Sequence, residues 1–269
     1  MKDFRKTWRK TNTACRIGTT SYIIPDDILP NLNYLSDIVE DVELVLFESD
    51  AFSNLPQPGD VAEMGRILED AQMTVTVHLP LDAYPGAASE AERKRSAEKW
   101  LRVMDRMEPL LPFGWVVHLN DPPAGSPSDN PGKWDHWRAQ CAKTIDALAA
   151  RTDTRRLCVE TLSYDFSHVY PLVREKGCSV CMDIGHLLLT GRDVGADLAA
   201  WLGRTRIIHL HGVNDSGRDH VDIGHMDDGL LHRILSALRA DPDTPRVLTL
   251  EIFSQQDLKT SLNVLENAL

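Results

Sequence analysis

Hydrophobic residues along this chain gather into short continuous runs. The runs fall at residues 15–23, 42–48, 74–80, 115–120, 157–163, 179–185, 207–213 and 247–253. VELVLF, TVTVHL and RIIHLH are typical of them. Strands buried on both faces have this texture, and a parallel sheet covered by helices buries both faces. Between the runs the apolar positions change to helical spacing. Val61, Met64, Ile67 and Leu68 share one face of a helix predicted over 60–72. Residues 89–108 open with Ser89 and Glu92, the arrangement of a capping box. Further helices are predicted at 134–150, 166–176, 193–202, 228–240 and 255–267.

Strand followed by helix, repeated along the chain, predicts an α/β protein with parallel strands. Eight such runs within 269 residues match a (β/α)8 TIM barrel. The competing arrangement is a doubly wound open sheet, which commonly carries a glycine-rich phosphate loop after its first strand. Here the first run leads into TTSYIIPDD with no G-x-G-x-x-G, so the barrel is preferred. Residues 1–269 read as one domain, with 1–14 a frayed, basic extension holding Lys2, Arg5, Lys6, Arg9 and Lys10. The segment NDPPAGSPSDNPGKW after His118 reads either as a flexible surface loop or as a substrate-facing lid.

Composition narrows the partners. The formal net charge of −11 disfavours a nucleic-acid binder, which needs a basic footprint to displace counterions. No stretch of about 20 apolar residues is present, so no membrane span is expected. The basic amino terminus is not followed by an apolar run, unlike a secretory signal. A cytoplasmic protein is the expectation. The five cysteines are odd in number and widely spaced, which does not resemble a disulfide framework. Cys178, just before an apolar run, and Cys181, within it, form a single C-x-x-C, where ordinary reduced thiols are expected.

The chemistry lies at the ends of the runs. His78 closes TVTVHLP and His118 closes WVVHLN. Glu160 sits in LCVETLS, Asp183 and His186 in SVCMDIGH, His209 in IIHLHGV and Glu251 in VLTLEIF. Side chains at the carboxyl ends of barrel strands converge. A lone strand-end histidine is more often a packing residue than a ligand. Glu160, Asp183 and Glu251 are different, because each follows an apolar run where an isolated carboxylate is costly. They call for a cation, and no Lys or Arg occupies a comparable strand end. Histidines from neighbouring strands make a metal ion the better partner. The Asp183-x-x-His186 spacing suits side chains serving adjacent metals. His211 shares the face of His209 but is the weaker candidate. His220, in the polar loop 215–220, could reach back to a metal. His136, His168, His225 and His232 are expected on the surface or in packing roles. The mixed ligand set suits Zn²⁺, Mn²⁺ or Fe²⁺ better than Ca²⁺. A carboxylate between two ions could bridge them, and paired ions suit phosphodiester hydrolysis.

The motifs VHLP, VVHLN, VETLS, MDIGH, IIHLHGVNDS, RDHVDIGH and LEIF together resemble the xylose isomerase-like TIM barrels, the superfamily that includes the trinuclear phosphodiesterase endonuclease IV. The resemblance spans residues 15–253. It implies a first metal on His78 and His118, with Glu160 bridging to a second completed by Asp183, His209 and Glu251. It implies a third metal, two or three in all, on His186 and His220. In the endonuclease an Asp two residues before that histidine is a further ligand; here the position is Arg218, beside Asp219. Either Asp219 substitutes, or Arg218 serves catalysis by contacting an anionic substrate. RIGTTSYIIPDDILPNL and VELVLFES are similar to the CbiR branch of cobamide-remodelling phosphodiesterases. That branch opens the nucleotide loop of a cobamide by metal-dependent hydrolysis, which implies a corrinoid substrate, Zn or Mn as cofactor, and Glu160 as a catalytic residue. Three other readings stay open. One is a sugar or sugar-phosphate isomerase or epimerase, with one metal on Glu160, Asp183, His209 and Glu251 and two carboxylates as acid and base. The second is DNA incision of the endonuclease type. The third is a corrinoid-binding barrel without catalysis.

Overall fold

The structure, a computed structural model, describes residues 4–12, 14–49 and 51–269. Eight parallel strands close into a barrel in chain order. They are β1 (Cys15–Thr20), β2 (Asp41–Val45), β3 (Thr74–His78), β4 (Trp115–Val117), β5 (Leu157–Glu160), β6 (Ser179–Asp183), β7 (Thr205–Leu210) and β8 (Arg246–Leu250). β8 pairs with β1 from Cys15 to Thr19 and closes the ring. The helices between strands are α2 (Ile28–Leu35), α3 (Pro58–Ala71), α4 (Glu90–Met107), α5 (Pro131–Ala149), α6 (Tyr170–Glu175), α7 (Ile184–Leu189), α8 (Val194–Trp201) and α9 (Asp228–Arg239). α1 (Phe4–Thr11) precedes the barrel and α10 (Gln255–Ala268) follows it. Every residue of β5, β6 and β8 is buried, which accounts for their unbroken apolar text.

The barrel interior decides where the polar side chains go. Val116, Cys158, Cys181 and Ile207, from β4 to β7, form a small apolar cluster of their own. Side chains on a strand repeat every second residue. Two residues further along, the same face therefore carries His118, Glu160, Asp183 and His209 at the barrel mouth. Asp183 and His209 are direct register partners on β6 and β7. The opposite part of the interior is polar. Asp41 accepts hydrogen bonds from the Thr74 and Thr76 hydroxyls at 2.6 and 2.9 Å. Gly18 leaves room beside it, since a β-carbon there would lie 3.2 Å from that of Asp41.

The observed elements depart from the sequence pattern in four places. Residues 4–11 are not frayed. They form α1, which buries Phe4 and Trp8, and the Trp8 indole donates to the Cys15 carbonyl at 2.6 Å. The strands stop before the apolar runs do: β4 ends at Val117 and β8 at Leu250, so His118 and Glu251 lie just past their ladders. Residues 166–176 split into a 3-10 turn at Phe166–His168 and α6, with Pro171 in the first turn of α6. α2 and α7 add short helices that the periodicity did not indicate. The segment after His118 is a hydrogen-bonded loop. Asn120 fastens it to the Leu81 and Ala83 carbonyls, and the Trp134 indole donates to Gly125.

All five cysteines are buried and unpaired. Burial pushes the Cys178 thiol up to about 12 and that of Cys181 well above its usual range, so neither is a thiolate near neutral pH. Among the described residues no helix is long and apolar enough to cross a membrane.

Candidate metal centre

Glu160 stands at the centre of the barrel mouth, fully buried at the end of β5. Its two oxygens face opposite sides. Oε2 lies 2.7 Å from His118 Nε2 and 3.4 Å from His78 Nε2. Oε1 lies 3.3 Å from His186 Nδ1 and 3.8 Å from His209 Nδ1. One carboxylate thus serves two separate histidine sets.

Local backbone structure aims each group. Asp183 ends β6 and caps α7: one oxygen accepts from the His186 amide at 2.7 Å. Its other oxygen is left facing His186 Nδ1 at 3.3 Å and His209 Nδ1 at 3.7 Å. His78 Nδ1 is 3.0 Å from the Leu79 carbonyl. Donation there orients the ring and turns Nε2 toward Glu160. His209 Nε2 lies 2.9 Å from Glu43 Oε2, and both side chains are wholly buried. That contact leaves Nδ1 toward Glu251 Oε2 at 3.1 Å. His211 occupies space that exists only because residue 185 is glycine. A β-carbon on Gly185 would lie 1.9 Å from His211 Cε1. His220 has a left-handed backbone, φ +51°, a conformation histidine adopts more readily than most side chains. Its amide donates to His211 Nδ1 at 3.0 Å, and its own Nδ1 sits 3.6 Å from Glu251 Oε2.

Ligand atoms therefore gather in overlapping sets, each within 4.8 Å: His78, His118 and Glu160; Glu160, Asp183 and His186; Glu43, His209 and Glu251; His186, His211 and His220. The structure brings together all eight residues that the sequence marked for metal. Arg218 stands apart, exposed in the 215–220 loop, where Asn214 holds its amide. Asp219 is nearer, with Oδ2 3.9 Å from His220 Nε2.

Charge is the unbalanced quantity in this cluster. Glu43, Glu160, Asp183 and Glu251 are buried together, and among the described residues no Lys or Arg pairs with any of them. Protons on the imidazoles supply the compensation when no cation is bound. Burial opposes charge on His78 and His186, but the hydrogen bond and charge of Glu160, joined by Asp183 at His186, outweigh it and raise both to about 9. His209 and His211 are also raised against the effect of burial, by neighbouring acidic groups. Burial likewise opposes charge on Glu160, Asp183 and Glu251, yet the surrounding histidines hold all three below the usual carboxylate range. Even so, Asp183 Oδ2, His209 Nδ1, His211 Nε2 and Glu251 Oε2 are buried with no hydrogen-bond partner. Each such atom costs about 1–3 kcal/mol. They all point into one space, and cations shared among them would remove that cost. The residues fit divalent metal ions, and the nitrogen-rich donor set favours transition metals over Ca²⁺.

The sequence pattern of the xylose isomerase-like TIM barrel matches residues 38–268. The chain belongs to that family. Solved structures agree on the fold. A D-tagatose 3-epimerase-like protein has a TM-score of 0.74 at 16% identity, covering 94% of this chain and 96% of its own. The 3-keto-D-glucoside 4-epimerase YcjR from E. coli gives 0.69 at 17% identity, covering 94% and 98%. SacUVDE gives 0.67 at 11% identity, covering 95% and 100%. At such identities the likeness carries the fold alone. No curated protein matches the chain.

Of the clustered residues, Glu43 was not legible beforehand and His211 was only a weaker candidate. Glu43 lies inside VELVLF, where its charge is hidden among apolar neighbours. A carboxylate in the middle of a strand buried on both faces is the signal that marks it. His211 was the weaker of two histidines on one strand, yet it completes a three-histidine set with His186 and His220.

Proposed function

We propose that this protein is a metal-dependent phosphodiesterase that opens the nucleotide loop of a cobamide. The observation that supports it is Glu160, whose two oxygens serve His78 and His118 on one side and His186 and His209 on the other. A carboxylate so placed suits a bridge between adjacent ions. Divalent cations bound there would supply an acidified water and offset negative charge on the phosphoryl oxygens. The chain itself contributes orientation. Asp183 is fixed by its cap, His209 by Glu43, and His78 by the Leu79 carbonyl. Arg218 stands on the loop above, where an exposed guanidinium can meet an anionic substrate. The corrinoid assignment rests on the resemblance of residues 16–32 and 42–49 to the CbiR branch.

A sugar epimerase is the second reading, favoured by what several structural neighbours are named. It employs Glu160, Asp183, His209 and Glu251 around one ion. His78 and His118, packed at 4.8 Å between ring centroids against Glu160, then have no task. DNA incision is opposed by the net charge of −11. Incubating the metal-loaded protein with a cobamide tests the proposal. A cobinamide phosphate and an α-riboside should appear, and a strong chelator should stop their formation. Intact cobamide together with epimerised sugar would replace this reading with the second.

A further inference from the structure

A cavity of about 400 Å³ opens directly on the metal-ligating cluster, with His78, His220 and Glu251 in its floor. Its walls are apolar. Tyr22, Phe47, Phe52, Leu81 and Phe253 make them. These side chains are wet: Phe47 is 39% exposed, Phe52 60%, Leu81 46% and Phe253 44%. Large apolar groups clustered in solvent at a site mouth mark a binding surface rather than chance.

The wall is built to stay in place. Tyr22, Phe47 and Phe52 form a continuous series, with ring centroids 6.5 and 6.3 Å apart. Asn54 ties the series to the barrel. Its amide donates to the Tyr22 hydroxyl at 2.6 Å and to the Val45 carbonyl at 3.0 Å, while its oxygen accepts from the Phe47 amide at 2.7 Å. Glu48, buried beneath, pairs with Arg102 of α4 and accepts from Ser53. Asn31, also buried, accepts from the amides of Ile23 and Ile24 and so fixes the chain that carries Tyr22. Phe253 meets the His220 ring edge-on at 5.6 Å. Surfaces held this way lose little entropy on binding.

Two further depressions of mixed polar and apolar lining adjoin at Tyr22. One presents Asp26, Asp27, Gln255 and Gln256. The other sets Gln57 and Asp60 beside Leu29, Leu55 and Met64. The complete subsite is thus an aromatic trough edged by amides and carboxylates, with the metal cluster at its inner end. Edge carboxylates repel a polyanion and accept hydrogen bonds from neutral N–H groups. The matching ligand has a broad apolar face, a rim of neutral N–H donors and one anionic arm that reaches the cluster. A corrin ring is a wide, mostly apolar disc edged with primary amides. We propose that this trough holds the corrin ring of the substrate while the phosphodiester reaches the metal residues. The assignment rests on the phosphodiesterase reading above.

The test is equilibrium binding of dicyanocobinamide to the metal-loaded full-length protein. This probe lacks the nucleotide loop, and its cobalt is capped on both faces, so histidine ligation contributes nothing. The wild type should bind it. Phe52→Ala and Phe47→Ala should each weaken binding by about tenfold. Leu111→Ala, 76% exposed outside this cavity, should bind like the wild type. Phe52 is too exposed for its removal to unfold the chain, and a thermal melt checks this. Failure of the wild type to bind, or wild-type affinity in both Phe variants, overturns the trough. Cobamide cleavage without cobinamide binding removes the trough and leaves the phosphodiesterase. Cobinamide binding that depends on Phe47 and Phe52, without cobamide cleavage, supports the trough and removes the phosphodiesterase.

Discussion

Replacing Glu43 by Gln is the most instructive single change, because Glu43 touches the candidate metal cluster through His209. Oε2 lies 2.9 Å from His209 Nε2, with both side chains wholly buried, so no water can replace the lost charge. Gln keeps an acceptor of the same shape. What disappears is the negative charge that makes the imidazole more basic, and so a better metal ligand, at Nδ1, which lies 3.1 Å from Glu251 Oε2. A hydrogen bond to a charged group is worth about 1.5–3 kcal/mol. Loss of a carboxylate behind a ligating histidine typically weakens metal binding about 10- to 100-fold, or about 1.4–2.7 kcal/mol. Both routes give the same range. The assay is competition with a chromophoric chelator, run on wild type and variant at one pH. Glu43→Gln should lower the affinity of one class of site by that factor and leave the others near the wild type. Unchanged affinity at every site would refute the idea that Glu43 acts through His209.

Three further outcomes follow from the same geometry. His78 and His186 sit at about 9 in the cation-free protein, so both carry protons at pH 7 that a bound metal must expel. Apparent metal affinity should therefore climb from pH 7 to 9 and flatten above, and calorimetry in buffers of different ionisation enthalpy should show proton release; a buffer-independent heat contradicts this. Burial raises Asp41 from 3.8 to about 6, against the pull of Thr74 and Thr76. An acid raised on folding keeps its proton better in the native state, so its ionisation costs stability as pH rises from about 4 to 6, up to about 3 kcal/mol. Asp41→Asn should gain relative stability across that window in denaturant titrations, and a pH-independent difference would remove the argument. Gly185→Ala drives a β-carbon to 1.9 Å from the His211 ring, which should cost about 1–3 kcal/mol and displace that histidine. A wild-type melting temperature with full metal content would contradict it.

Much of the barrel could be read from the chain because its strands are buried on both faces and spell unbroken apolar text. The same property hid Glu43 and Asp41, two acids two residues apart on one face of β2. Averaged over VELVLF, a single charge vanishes. Strand ends were overextended because the ladder stops where the chain turns to bring His118 and Glu251 inward. The clustered set could be read at those ends, since a carboxylate that closes an apolar run needs a cation beside it. The third histidine cluster was harder. His211 depends on the absent side chain of Gly185 across the β6–α7 turn, a relation only the folded chain displays. α1 was obscured by its basic residues, although Phe4 and Trp8 stand at helical spacing and both are buried.

Phosphodiester chemistry at this site requires several cations to share one enclosed group of carboxylates and imidazoles. Elemental analysis of the purified protein, expressed as metal atoms per chain, measures that directly. Two or three transition-metal ions per chain, falling when Glu160 is replaced by Gln, is the predicted result. One ion, or none after supplying Zn²⁺ and Mn²⁺, would contradict it.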